Sequence, residues 1–444
     1  MRGWYIVNVV FLLLPVGAFA QSAKIVNLCG TLVNFSNQVI VDDLSDLQYL
    51  LPPDDKRVII PDSAGHFNIR FALSAPGYFR IGRNTLYLSP GDQLELVIDK
   101  NDPRKAVFTG TGSAANLYLR HTPFPKGGSY IESGRNSHRS ADATIKKIMN
   151  LAQERERELA TLSSISTRFK QLEAARIKAD IINSLHAAEI SVYLPRLPAD
   201  SLQQYKADYK FLKAPLLSQY SGNFINADFM QLVVYRDIAD GLLANAAVNS
   251  ETQPLRDWYS AYQLVQRMNQ VNSKTDLAKF TKAIDSIKTT RYKNALTQSL
   301  SNLLKFGKGD KAVNFIANTM DGKTVDLSSL KGNIIYIDLW ATWCGPCLVE
   351  MPHFEQLKER YKDSTGISFL SLSIDDNVAA WKKNVASRNA GGLQWLINRN
   401  QLMAYNIVGI PRSIIIDKAF SIVDMNAPLP SATATLRLLD GLLK

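Results

Sequence analysis

Trp343-Cys344-Gly345-Pro346-Cys347 decides how this chain is read. Upstream, Ile334-Ile335-Tyr336-Ile337 is a short buried strand, and Asp338 to Thr342 carries it to the two cysteines. Downstream, Cys347, Met351, Phe354, Leu357 and Tyr361 recur at three- and four-residue steps, the stripe of one helix face. The pair therefore straddles a strand-to-helix junction. Two intervening residues let the cysteines close a small disulfide across the first helical turn. Cys344 falls at the helix N-terminus, where unpaired N–H groups and the positive dipole end favour a thiolate. The thiolate is the nucleophile in disulfide exchange. Cys347 lies one turn further in, placed to resolve a mixed disulfide.

Two other chemistries use the same spacing. Half of a zinc site would need a second pair, yet only three cysteines are present and His353 sits on the same helix. No metal ligand set and no cofactor are expected. A static structural disulfide is the other option, and the flanking Trp, Gly and Pro favour the reactive reading. The third cysteine, Cys29, lies in an apolar strand-like run and is expected to be a buried, inert thiol.

Outward from this centre, Ile367 to Ile374 and Ile414-Ile415-Ile416 are further strands, so residues 310–444 read as an α/β unit built on a βαβ arrangement. Phe306 to Asp310 is the expected linker into it. The 444 residues allow two to three domains. Residues 21–112 read as β. His66 to Leu73 alternates, and Leu86 with Leu88, then Leu94, Leu96 and Ile98, flank the turn Ser89-Pro90-Gly91-Asp92, giving an expected hairpin in a small antiparallel sandwich. Residues 113–305 read as helical. A Pro-, Gly- and Ser-rich loop spans Thr122 to Ser140, and Leu159, Leu162, Ile165, Phe169 and Leu172 follow one helical period. Glu154 to Glu158 reads as a solvated charged face, and Tyr205, Tyr209, Trp258, Tyr259 and Tyr262 as core. The expected fold class is thus multidomain: an N-terminal β sandwich-like domain, an α-helical middle and a C-terminal α/β unit.

The first twenty residues read as a cleavable export signal: Arg2, an apolar run from Trp4 to Ala20, and Ala18-Phe19-Ala20 before Gln21. An uncleaved anchor is the alternative. The net charge is +11, yet residues 310–444 hold 14 Lys and Arg against 13 Asp and Glu. With that +1 and Arg2 removed, +9 belongs to residues 21–309, where the basic residues are dispersed in sequence. No nucleic-acid patch is expected.

Asp338-Leu339-Trp340-Ala341-Thr342-Trp343-Cys344-Gly345-Pro346-Cys347 closely resembles the active-site strand and helix of the thioredoxin family. Leu348-Val349-Glu350-Met351-Pro352, and Leu327 to Gly332 upstream, are similar to the secreted subgroup typified by TlpA and ResA. Tyr405 to Pro411 matches the segment that carries the family's cis-proline. The resemblance covers residues 310–444 and implies a thioredoxin fold. It also implies a redox-active Cys344–Cys347 disulfide, with Cys344 attacking and Cys347 resolving. Asp338 then matches the buried carboxylate that relays the proton of Cys347, and Glu350 the acid that tunes the thiols. Trp343 should cover the disulfide, Pro411 should be cis, and Ile410 should offer backbone groups to an extended client. Arg412 departs from the family pattern and is expected to place a cation near the sulfurs. Ala419-Phe420 replaces the usual Asp-Gly turn. The implied activity is a periplasmic or envelope thiol-disulfide oxidoreductase, most readily a reductase. Its partners would be protein clients with disulfides or thiols and a membrane electron donor. A net oxidant, a peroxidase of the same fold and a redox-switched binding protein are the alternatives.

Overall fold

The computed structural model describes residues 23–35, 38–51, 57–122, 128–188, 197–244, 246–271, 273–407 and 409–444; the expected export signal lies outside them. Strand Lys24–Val33 is the centre of the first sheet. It pairs antiparallel with His66–Leu73 and parallel with Gln93–Asp99, which in turn pairs with Val107–Gly110. A second sheet joins Asp42–Asp43, Gly77–Ile81 and Asn84–Leu88. Alternation turns one side of each strand inward. Val26, Leu28 and Leu96 from the first sheet therefore share a core with Phe79, Ile81 and Leu88 from the second.

The expected hairpin does not form. Ser89 to Asp92 does turn: the Asp92 N–H donates to the Ser89 carbonyl (3.0 Å) and the Ser89 N–H to the Asp92 carboxylate (2.8 Å). Its two strands nevertheless enter different sheets. Alternation shows which face of a strand is buried but not which strand lies beside it. The parallel pairing of Lys24–Val33 with Gln93–Asp99 also makes the first sheet mixed rather than antiparallel. Cys29 is half-buried, because it points to the side of its strand opposite Val26 and Leu28.

Nine described α-helices lie between Ser113 and Lys305. The run from Leu159 to Leu172 is not one helix. Ala141–Thr161 ends, and Thr167–Ala187 begins with the Ser166 hydroxyl accepting from the Phe169 N–H (3.1 Å). A serine cap competes with helix continuation, and apolar spacing alone does not register it. In the charged run Glu154, Glu156 and Arg157 are exposed as expected, but Arg155 is not. Arg155 is buried, lies 3.7 Å over the Tyr118 ring and donates to the Tyr118 carbonyl. Tyr205, Tyr209 and Trp258 are core, with Tyr259 and Tyr262 packed against it. The helices also grip the β region. Tyr78 and Tyr87 belong to their core, and the Trp258 indole donates to the Asp46 carbonyl (2.7 Å).

The C-terminal unit is a seven-stranded sheet. Ile334–Trp340 lies in its interior between Ile367–Ser373, to which it is parallel, and Arg412–Ile416, to which it is antiparallel. Helix Gly345–Arg360 covers one face: Ile334 and Tyr336 pack with Phe354, Leu357 and Tyr361. Period two places Asp338 on that same face, beneath the helix. The expected linker is docked rather than free. The Gly309 N–H donates to the Ile422 carbonyl and the Ala312 N–H to the Phe420 carbonyl (both 2.8 Å). Phe420 occupies a left-handed backbone position (φ 60°) and buries its ring in the core, so the altered turn serves as an anchor for the incoming chain.

Candidate active site

All seven residues of Ile334–Trp340 are buried, so this strand is a rigid base for the cysteine loop at its end. Cys344 caps helix Gly345–Arg360, with its sulfur accepting from the Cys347 N–H at 3.2 Å, and Pro346 fills the first turn, where a missing N–H costs nothing. Cys344 and Cys347 form a disulfide with Cα atoms 5.3 Å apart. Cys344 exposes 5% of its surface and Cys347 1%, so the outer sulfur is the one a client can reach. On reduction, the same N–H and the helix dipole stabilise charge on the Cys344 sulfur.

Asp338 is buried below. Burial first, then the negative charge of Glu350, push its carboxyl up to about 7, while Arg388 pulls it down. Its Oδ1 has no hydrogen-bond partner among the described residues. A carboxyl half protonated near neutrality can hold or release a proton at this depth. Glu350 reaches the end of the sheet, accepting from the Ser431 N–H (2.9 Å) and hydroxyl (2.8 Å). Its charge therefore acts on Asp338 from a held position.

Ile410–Pro411 is a cis peptide, and Ile410 packs against the same core as the two cysteines. Trp343 is 65% exposed, which leaves its ring open to a client. Arg412 is not directed as expected. Its Nε donates to the Met425 carbonyl (2.7 Å), and its side chain lines a small cleft with Asn269, Phe306 and Tyr405, at the junction with the helices. Burial pulls its guanidinium down to about 10.

Three supports were not read from the sequence. The Thr342 N–H and hydroxyl both donate to Asp375, which also accepts from the Ser373 hydroxyl, so this carboxylate latches the loop before Trp343. An acid at the C-terminal end of a parallel strand was the available signal. Arg388 stacks 5.1 Å over the Trp340 ring and donates to Asn384. The Asn406 amide donates to Asn269 (3.0 Å), tying the cis-proline segment to the helical region. The last two join residues far apart in sequence, with no local pattern to announce them.

A family model described as Redoxin matches residues 307–436. The chain is 33% identical over 120 residues to the thiol-disulfide oxidoreductase ResA of Bacillus thuringiensis (strain Al Hakam), covering 26% of this chain and 67% of that protein. The ResA of Bacillus anthracis matches with the same identity and coverage. A crystal structure of a Bacteroides vulgatus chain, described as a candidate thiol-disulfide oxidoreductase, shares 37% identity, spans 31% of this chain and 98% of that one, and has a TM-score of 0.30.

Proposed function

The chain belongs to the TlpA/ResA-type thioredoxin-like family of thiol-disulfide oxidoreductases, and from that premise we propose that it reduces client disulfides in the periplasm or cell envelope. The observation that carries the mechanism is the Cys344 sulfur held at a helix N-terminus with a buried, proton-holding Asp338 behind it. Cys344 thiolate attacks a client sulfur, and a mixed disulfide forms as the other client sulfur leaves with the electron pair of the broken bond. Cys347 gives up its proton toward Asp338 and attacks Cys344, releasing the reduced client and leaving the Cys344–Cys347 disulfide. Trp343, Ile410 and Pro411 form the surface against which an extended client segment lies.

The reducing direction is supported by the Gly-Pro pair between the cysteines, the dipeptide of reducing thioredoxins, whose potential lies near −270 mV. The export reading of residues 1–20 supports the location. A reductase in an oxidising compartment needs recharging, so a membrane electron donor completes the cycle. Residues 21–112 as a sandwich-like domain and 113–305 as a helical domain would then present the redox unit to its clients. Expression of Cys347→Ser should trap clients on Cys344 as mixed disulfides in the envelope fraction. Absence of such adducts would end the exchange reading. A potential near −120 mV, that of a strong oxidant, would reverse the direction.

A further inference from the structure

A large cavity lies away from the dithiol. It measures about 820 Å³ and lies between the β region and the helices, and the described residues that line it run from Leu44 to Val233. That volume is within the range of small-molecule sites. Seven arginines and three glutamates line it, so its charge is lopsided. Part of this excess is balanced from behind the wall. Arg80 pairs with Asp42 (2.7 Å), and Arg176 with the fully buried Glu173 (3.0 Å). Arg155 and Arg176 are both buried, and each faces a glutamate, Arg155 pairing with Glu158 and Arg176 with Glu173, as a buried guanidinium requires.

The cavity also holds buried donors with no acceptor among the described residues. The Tyr130 hydroxyl, in a residue 8% exposed, and the buried Arg120 Nε have no hydrogen-bond partner among the described residues. Buried donors without partners are uncommon in folded proteins and mark places where a group has been left out. Arg120 is fixed by its Nη1 bond to the Ala106 carbonyl (3.3 Å), and the floor by the Tyr78 hydroxyl on Glu173 (2.5 Å). The walls are therefore built and preorganised from both regions at once.

We infer that this cavity binds a small polyanion, carrying carboxylate or phosphate groups, on Arg120, Arg155 and Tyr130. Guanidinium forks recognise both groups through paired N–H···O bonds, and a tyrosine hydroxyl adds a single donor. The site is separate from the redox pair, since none of its described lining comes from the C-terminal unit. It also accounts for where some of the basic excess of residues 21–309 goes.

Calorimetric titration of the full chain at constant sodium chloride tests this, with citrate in one arm and inorganic pyrophosphate in the other. At least one should bind saturably, one per chain, with a dissociation constant below about 1 mM. The arm that binds distinguishes carboxylate from phosphate. Arg120→Gln should weaken that binding at least about tenfold. Tyr130→Phe, which removes one oxygen and leaves the packing intact, should weaken it about threefold or more. If neither anion binds, or both variants bind as the parent chain does, the assignment is wrong.

Discussion

Each half of this molecule buries an aspartate whose carboxyl titrates near neutrality. Asp338 in the C-terminal unit is pushed up to about 7, and Asp180 in the helical core up to about 8, both chiefly by burial. Around Asp180 stand Arg176, Glu173 and Arg155, and the first two fasten helices to the β region through Tyr78. Around Asp338 stand a helix N-terminus with two sulfurs and Glu350. The same physical perturbation is structural in one place and chemical in the other. A displaced pKa therefore locates burial, and a nucleophile beside it is what turns burial into chemistry.

The sharpest way to separate the two halves is to remove the nucleophile. Cys344→Ser should lower insulin reduction by at least about a thousandfold while leaving the N-terminal core intact. Asp338→Asn comes next. It should slow exchange about a hundredfold at pH 8, because the resolving thiol loses its proton acceptor. Asp180→Asn should leave that rate unchanged, and a matching loss there would erase the contrast.

The two aspartates should behave alike in stability. From about pH 4, near the ordinary carboxyl value of 3.8, up to about pH 7, folded Asp338 keeps a proton that the unfolded chain releases. Stability therefore falls as pH rises through that window and levels off above it. Asp338→Asn should flatten this slope. Its gain over the parent chain should grow from near zero at pH 4 toward about 4 kcal/mol above pH 7, from the three-unit displacement. Denaturant titrations at several pH values measure it. Asp180→Asn should give the same trend with the window extended to about pH 8.

Smaller effects refine the site. Glu350→Gln removes the charge that raises Asp338, so the midpoint of the pH–rate profile should move down by less than about one unit. Arg412→Ala should cost about 1 kcal/mol through the lost Met425 bond and leave the Cys344 pKa where it was. A rise there would restore the expectation that this cation serves the thiolate.

Legibility tracked the range of the interactions. The dithiol, its strand, its helix and the cis-proline segment are local patterns of a few residues, and the structure places them together. The hairpin reading of Leu86 to Ile98 failed because pairing is a choice among distant strands. The long helical period across Leu162 failed because Ser166 caps a new helix. Arg155 looked like one of five solvated charges until the Tyr118 ring and carbonyl closed over it.

By itself the sequence determined the redox pair, the fold around it and the basic bias of the first three hundred residues. Each depends on residue type and spacing along one stretch of chain. Only the tertiary structure decided that Asp375 latches the loop before Trp343 and that Arg412 faces the helices. It alone placed Arg120, Tyr130 and Arg155 around one cavity. Burial and unmatched donors arise when distant segments exclude water together, and no single segment carries that information.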